Sequence, residues 1–224
     1  MSAQLAFRWD ARISHGRTDF VVSAGNAAPV GLIEAWPDWP GRTLALCGPA
    51  GCGKSHLANV WADEIGDALR LPLDGLTEAR VSRLTGAEHI LIDDAGVPVE
   101  EAALFHLLNL LKSGGGSLLM AARTAPARWK TRLPDLASRL RAVTVAQFDL
   151  PDDDLLAALL HKHFRDRQLD VADAVVRFLV PRMIRSGAEA ARLAEALDAE
   201  ALARGQAVTV RLAGEVLAAH DAGT

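Results

Sequence analysis

Residues 43–55 read TLALCGPAGCGKS and contain the pattern G-x-x-x-x-G-K-[ST], which is typical of a phosphate-binding P-loop. The apolar run 43–47 before the loop has the composition of a buried strand, and the run 56–62 after it is compatible with a helix. Glycines let such a loop turn its backbone N–H groups toward phosphate oxygens, and the helix that follows adds its own unpaired N–H groups. The pattern assigns Lys54 to the outer phosphates and the Ser55 hydroxyl to Mg²⁺. The sequence therefore predicts a nucleotide-binding site here.

A second motif lies downstream, where the apolar run HILI at residues 89–92 ends in two carboxylates, Asp93 and Asp94. Asp93 is predicted to hold the same Mg²⁺ as Ser55. Asp94 is a candidate to orient or deprotonate an attacking water. A strand that ends in solvated acids is the simpler interpretation, but the position after a P-loop favours the magnesium role.

The order of the predicted elements indicates the fold class. Predicted strands alternate with helical patterns, which favours a parallel sheet flanked by helices, with the ligand at the carboxyl ends of the strands. From residue 151 onward the pattern is helical, apart from a short turn near Thr209, and it predicts a small all-helical domain. We therefore divide the chain into a tail (1–12), an α/β domain (13–150) and a helical domain (151–224). The predicted strands are residues 43–47, 69–73, 89–94, 117–122 and 142–145.

Composition excludes several classes of function. The chain has 224 residues, half of them apolar, and its net charge of −4 gives no general attraction to nucleic acid or anionic membranes. Its two cysteines, Cys47 and Cys52, fit neither a zinc pair nor a C-x-x-C motif, so we expect a reducing, cytoplasmic compartment. No signal segment and no apolar run long enough to cross a bilayer are present, so no membrane association is expected.

Two further stretches allow two interpretations each. Residues 4–9, QLAFRW, alternate polar and apolar side chains, which suits either a strand-like peptide that docks on a partner or a first strand over the chain's own core. Residues 123–141 carry six cations and one acid, Asp135. They form either a solvated surface or a set of arginines that meets phosphate, on this molecule or on a neighbour.

Several of these stretches together carry a resemblance to a known family. The chain resembles the DnaA-related AAA+ family, and more closely its Hda-type regulatory inactivators of DnaA, from about residue 4 to the end. The resemblance implies an AAA+ P-loop NTPase core with a parallel sheet flanked by helices, followed by a small helical lid. The most specific match is 133–140, LPDLASRL, which resembles the arginine-finger segment of that group. The other matching stretches are DFVV at 19–22, GKSHL at 53–57, ILIDD at 90–94 and FHLLN at 105–109.

The resemblance also implies ligands and site residues. ADP or ATP with Mg²⁺ is the expected cofactor, with Ser55 and Asp93 at the metal. In the lid, the family's sensor arginine falls on Ala191, with Arg192 beside it. The expected nucleotide-binding residues are Val21, Val22, Gly48, Pro49, Ala50, Gly51, Cys52, Gly53, Lys54, Ser55, His56 and Arg192.

The partners implied by the resemblance are the DnaA initiator and the DNA polymerase III sliding clamp. Arg139 takes the arginine-finger position, which acts in trans on ATP held by a neighbouring subunit. Gln4, Leu5 and Phe7 match the clamp-binding peptide of Hda-type proteins. The chain lacks the initiator's helix-turn-helix module, so no sequence-specific DNA binding is expected. A homo-oligomer is compatible with the sequence.

Two departures from the family affect the expected activity, and the first is the alanine at the sensor position of the lid, Ala191. Ala121 and Ala122 stand where a polar sensor of the γ-phosphate is expected, so Arg123 or Thr124 would have to replace it. We therefore expect weak or absent ATP hydrolysis by the chain itself, and activation of DnaA's ATPase instead. A DnaA-related ATPase or helicase loader that uses its own turnover is the alternative, because the P-loop and both acids are intact. A nucleotide-gated adaptor for another partner also fits.

Overall fold

The computed structural model describes residues 20–84, 86–96, 98 and 100–221. Within them the chain forms a parallel sheet of five strands in the order β2-β3-β4-β1-β5. The strand that precedes the P-loop, β1, lies between β4 and β5, so the loop opens near the middle of the sheet edge. The strands are β1 Thr43–Cys47, β2 Leu69–Arg70, β3 His89–Ala95, β4 Ser117–Ala122 and β5 Thr144–Gln147.

Helices connect and extend these strands. Short 3-10 helices cover Pro40–Arg42 and Pro126–Arg128. The α-helices are α1 Ala27–Glu34, α2 Lys54–Ile65, α3 Glu78–Val81, α4 Glu101–Gly114, α5 Pro134–Arg141, α6 Asp153–Asp166, α7 Asp173–Leu179, α8 Gly187–Arg204 and α9 Val210–Asp221.

Both faces of the sheet are covered, which explains why β1 and β4 are apolar apart from their first residues, Thr43 and Ser117. Every residue of β1 and β4 is buried. On one face α2 contributes Leu57 and Trp61 to the core, and on the other α4 contributes Leu104 and Leu107. These residues recur at helical spacing, which gives each helix one apolar side to bury. The predicted α/β class, a parallel sheet flanked by helices, is confirmed.

The helices α6 to α9 pack around a hydrophobic cluster of their own, which contains Leu160, Phe164, Leu193 and Leu217. The helical pattern predicted after residue 151 is therefore present, while the division into three domains stays a prediction. Within the described residues, no helix combines the length and the apolar character that a bilayer crossing requires.

Three elements differ from the sequence prediction. The last strand, predicted at 142–145, forms at Thr144–Gln147. The strand predicted at 69–73 pairs over Leu69–Arg70, and the Leu71 N–H still reaches the Leu91 carbonyl at 2.9 Å. Pro72 has no N–H to donate, so the ladder ends there.

The basic stretch 123–141, for which no helix was predicted, contains α5. Pro134 occupies the first turn of α5, where its missing N–H costs nothing, and Leu136 and Leu140 bury one face. The Glu101 carboxylate of α4 accepts the N–H groups of Arg132 (2.8 Å) and Leu133 just before this helix. A long-range anchor of this kind leaves no local signal in the sequence.

Candidate nucleotide-binding site

The P-loop turns at the carboxyl end of β1 and leaves a row of backbone donors unpaired. A Cβ at Gly48 would lie 2.5 Å from the Phe148 carbonyl oxygen, so only glycine fits where the loop leaves the sheet. Among the hydrogen bonds between described residues, the N–H groups of residues 50–53 donate none. Unpaired backbone N–H groups in such a turn are the donors that phosphate oxygens accept.

Lys54 places a positive charge inside the same loop. The residue is only 9% exposed, and its Nζ donates a hydrogen bond to the Pro49 carbonyl oxygen at 2.6 Å. The Cys52 Sγ lies 3.5 Å from the same nitrogen. The ammonium group is therefore held within the loop, beside the backbone donors.

The two cysteines near the loop are free thiols. Burial raises the pKa of the Cys47 thiol to about 11, and the charge of Lys54 opposes this only in part. Cys47 therefore stays protonated at neutral pH, which is consistent with a packing role at the end of β1.

Ser55 and Asp93 meet as the metal prediction requires. The Ser55 Oγ donates a hydrogen bond to Asp93 Oδ1 at 3.0 Å, and the backbone N–H of Asp94 donates to the same oxygen at 2.9 Å. The pairing of β3 with β4 is irregular between Ile92 and Ala95, and Asp94 has a φ of 50°, in the left-handed region. Such a bulge re-aims side chains at the end of a strand.

A cavity of about 280 Å³ opens where β1, β3 and β4 end. Hydroxyl and carboxylate oxygens suit Mg²⁺, which commonly takes few protein ligands and completes its shell with phosphates and water. The described part of the chain holds no cluster of three or more His, Cys, Asp or Glu side chains that could bind a metal alone. The lining residues are Ala50, Gly51, Lys54, Ser55, Asp93, Asp94, Ala121, Ala122 and Arg123.

A smaller cavity of about 60 Å³ lies on the other side of the loop and shares Gly51 with the first. The Phe20 ring packs edge-on against His56, with the ring centroids 5.4 Å apart. Val21 lines this cavity, whereas Val22 is 48% exposed and lies outside its lining. The remaining lining residues are Asn26, Cys52, Gly53, Pro151, Leu155, Leu159 and Gly187.

The helical part of the chain touches the loop directly, which the sequence did not indicate. Ser186 caps α8 by accepting the N–H of Glu189 at 3.0 Å. The next residue, Gly187, donates its N–H to the Gly51 carbonyl at 3.2 Å. The first turn of α8 is therefore hydrogen-bonded to the P-loop.

Arg192 lies outside the lining of both cavities. It forms two hydrogen bonds with Glu189, at 2.9 and 2.6 Å, and this partner raises the pKa of Arg192. The Glu189 side chain is only 7% exposed, so the pair is anchored on α8 itself. Arg192 lines neither cavity, and its nucleotide role stays a prediction.

Arg139 lies away from the phosphate cavity formed by the P-loop of this chain. It is half-buried in the last turn of α5, with its guanidinium 5.3 Å from the centre of the Phe105 ring. It lines a third cavity that includes Thr43, the first residue of β1, whereas the P-loop follows the last residue of that strand. The predicted clamp-binding residues Gln4, Leu5 and Phe7 lie outside the described residues.

The contact between Gly51 and α8 gives a first testable prediction. Gly51 has a φ of 76°, and a Cβ there would lie 2.4 Å from the Ser186 Cβ. Gly51→Ala should therefore push α8 off the loop and weaken ADP binding by about tenfold or more, measured by titration calorimetry. Gly66 is the matched control, because it has a φ of 82° with nothing within 4 Å of its Cβ position. Equal ADP affinities for Gly51→Ala and Gly66→Ala would contradict the role given to this contact.

Comparison with known proteins is consistent with this geometry. No protein-family model matches the chain. Solved structures with the same fold include the initiation protein DnaA and the branch migration motor RuvB, so the α/β core with a parallel sheet flanked by helices, followed by a helical part, is shown at the level of the fold.

Three structures illustrate the similarity. Domain III of the replication initiation protein DnaA from Thermotoga maritima has a TM-score of 0.73 at 21% identity, over 89% of this chain and 94% of that one. AMPPCP-bound DnaA from Aquifex aeolicus has a TM-score of 0.67 at 18% identity, over 79% of this chain and 62% of that one. The Holliday junction branch migration motor RuvB from Thermotoga maritima has a TM-score of 0.64 at 16% identity, over 80% of this chain and 61% of that one.

Proposed function

We propose that this chain is an Hda-like regulator of replication initiation. It binds ADP or ATP with Mg²⁺, docks on the DNA polymerase sliding clamp, and stimulates hydrolysis of ATP bound to DnaA by supplying Arg139. The observation that carries the proposal is the separation of Arg139 from the chain's own phosphate cavity, at the opposite end of β1.

Nucleotide binding rests on the two cavities that share Gly51. The phosphates occupy the larger cavity, where the loop N–H groups and Lys54 supply donors and charge. Ser55 and Asp93 hold the Mg²⁺, which neutralises phosphate charge when it is bound. The base lies against the smaller, mainly apolar cavity beside Phe20 and Val21. AMPPCP-bound DnaA structures of the same fold support this assignment.

The position of Arg139 supports action in trans. The strand rise places the two ends of β1 roughly 13 Å apart, which separates Arg139 from the γ-phosphate of a nucleotide in its own P-loop. Arg139 is only partly buried, so a second molecule can reach it, and the Phe105 ring supports its guanidinium from one side.

The chemistry in the partner's site is phosphoryl transfer to water. A water oxygen bonds to the γ-phosphorus as the bond to the β–γ bridging oxygen breaks, the water gives up a proton to solvent, and ADP and inorganic phosphate leave. Charge builds on the phosphoryl oxygens during this step, and a guanidinium fork placed there stabilises it.

Clamp docking rests on Gln4, Leu5 and Phe7, and substitution tests it. Gln4→Ala and Leu5→Ala should reduce retention on immobilised clamp, whereas Arg139→Ala should not. Unchanged retention of both tail variants would favour the alternative, in which residues 4–9 cover the chain's own core.

The whole function is tested with the initiator itself. DnaA loaded with γ-labelled ATP is mixed with clamp-loaded DNA, and label release is followed with and without this chain. The proposal predicts faster release only when the chain and the clamp are both present. If the parent chain does not accelerate release, the proposal fails.

The rival function, a DnaA-related ATPase or helicase loader, is favoured by the intact set of Lys54, Ser55, Asp93 and Asp94 around one cavity. It predicts steady-state ATP turnover by the chain alone, which Asp94→Asn should remove. Our proposal predicts that the chain alone turns over little ATP and that Asp94→Asn leaves the stimulation of DnaA in place.

The structure separates the two residues that the sequence offered in place of the polar sensor. Arg123 lines the phosphate cavity and, among the described residues, has no ion-pair or hydrogen-bond partner for its guanidinium, whereas Thr124 is not in the lining. Arg123→Ala should therefore weaken ATP binding by about tenfold relative to ADP, because it removes a charged donor near the last phosphate. Thr124→Ala should leave both affinities unchanged. Calorimetric titration with both nucleotides checks this. If the ratio of the ATP affinity to the ADP affinity is the same in Arg123→Ala as in the parent, the prediction is wrong.

A further inference from the structure

A second cation shares the cavity beside Arg139. This cavity, of about 120 Å³, lies at the amino end of β1, and the charged side chains in its lining are Lys112 and Arg139. Among the residues that the structure describes, no acid lines it. The other lining residues are Pro40, Gly41, Thr43, Leu108, Ala142 and Val143.

Neither cation is neutralised within the described part of the chain. Lys112 is exposed and makes no hydrogen bond or ion pair there, and Arg139 contacts the Phe105 ring without an acid partner. By contrast, Arg185 and Arg204 are paired with carboxylates. Two unpaired cations at one opening repel each other, so an anion bound between them is favoured on charge alone.

The α4 helix organises this cavity. Glu101, Phe105, Leu108 and Lys112 follow one another at spacings of four, three and four, so they lie along one face of the helix. Glu101 accepts the N–H groups before α5, Phe105 lies under the Arg139 guanidinium, and Leu108 and Lys112 line the cavity with it. The same face that fixes the position of α5 therefore brings Lys112 to Arg139.

We infer that Lys112 is a second phosphate-binding cation of the trans site. Lys112 and Arg139 together receive the terminal phosphates of the nucleoside triphosphate held by the neighbouring initiator. Arg139 supplies a planar fork of donors, and Lys112 adds a mobile point charge on a flexible stem. This inference rests on the proposed function and adds a residue that distinguishes a triphosphate from a diphosphate on the partner.

The test measures single-turnover release of label from DnaA loaded with γ-labelled ATP, with clamp-loaded DNA and increasing amounts of the full chain. Lys112→Ala should lower the maximal rate by about ten- to a hundredfold, as expected for loss of a charge-assisted contact. Lys112→Arg should restore most of the rate, because it keeps the charge. Lys130→Ala is the matched control, since Lys130 is exposed and lies outside this cavity.

A second readout separates phosphate contact from a merely structural role. In a binding assay, the parent should prefer DnaA bound to AMPPCP over DnaA bound to ADP, and Lys112→Ala should reduce that preference. If Lys112→Ala keeps both the parent's maximal rate and its preference while Arg139→Ala loses the rate, this inference is wrong and the proposed function stands. If neither variant changes the rate, both fail.

Discussion

Arg139→Ala is expected to abolish the stimulation of DnaA's ATPase while leaving nucleotide binding and clamp binding by this chain unchanged. In other nucleotide hydrolases an arginine supplied to the γ-phosphate accelerates the reaction by roughly 10³–10⁵-fold, so the loss should approach the unstimulated rate. Nucleotide binding should survive because Arg139 lines a different cavity from Lys54 and Ser55. The measurement is label release from ATP-loaded DnaA in the presence of clamp-loaded DNA.

Two further variants sharpen this result. Arg139→Lys should restore little, because an ammonium group cannot make the paired contacts of a guanidinium. Arg141→Ala is the matched control, since Arg141 is an exposed arginine in the same last turn of α5 but outside the cavity. A specific role for Arg139 would be contradicted if Arg139→Ala stimulated DnaA's ATPase as well as the parent does. It would also be contradicted if Arg141→Ala lost as much of the stimulation as Arg139→Ala.

Lys54→Ala should have the second large effect, which is a loss of nucleotide binding by the chain itself. The Lys54 ammonium is the buried positive charge among the loop donors, so its loss should weaken ADP and ATP binding by at least about a hundredfold. Titration calorimetry measures the affinity directly. A thermal scan gives a second readout, because ADP should raise the melting temperature of the parent and not that of the variant.

Lys130→Ala serves as the control for this variant as well, because Lys130 is exposed and distant in sequence from the loop. The melting temperatures of Lys54→Ala and the parent should first be compared without nucleotide, since Lys54 also pairs with the Pro49 carbonyl. Near-parental ADP affinity in a folded Lys54→Ala variant would contradict the proposal that the P-loop binds the nucleotide phosphates.

Much of the fold was readable from local patterns. The strand before the P-loop, Thr43–Cys47, and the strand Ser117–Ala122 match their predicted bounds, because both are apolar after their first residue and end at a glycine-rich turn or a polar residue. The proximity of Ser55 and Asp93 was predicted from two motifs, a P-loop and a downstream strand that ends in acids, since parallel strands bring their carboxyl ends to one edge.

The features that the sequence did not reveal depend on contacts between distant residues. The hydrogen bond from Gly187 to Gly51 joins segments far apart in the chain, and so does the anchoring of the start of α5 by Glu101. The pairing of Arg192 with Glu189 is local, but Glu195 offered an equivalent spacing on the other side of Arg192. Leu136 and Leu140, one turn apart behind Pro134, were the available signal for α5.

The central claim is that Arg139 meets the terminal phosphate of ATP on the initiator. The most direct measurement is a structure of this chain bound to clamp and AMPPCP-loaded DnaA. The account predicts the Arg139 guanidinium within hydrogen-bonding distance, roughly 3 Å, of a γ-phosphate oxygen on DnaA. A complex in which Arg139 points away from that nucleotide, while another residue occupies its place, would contradict the account.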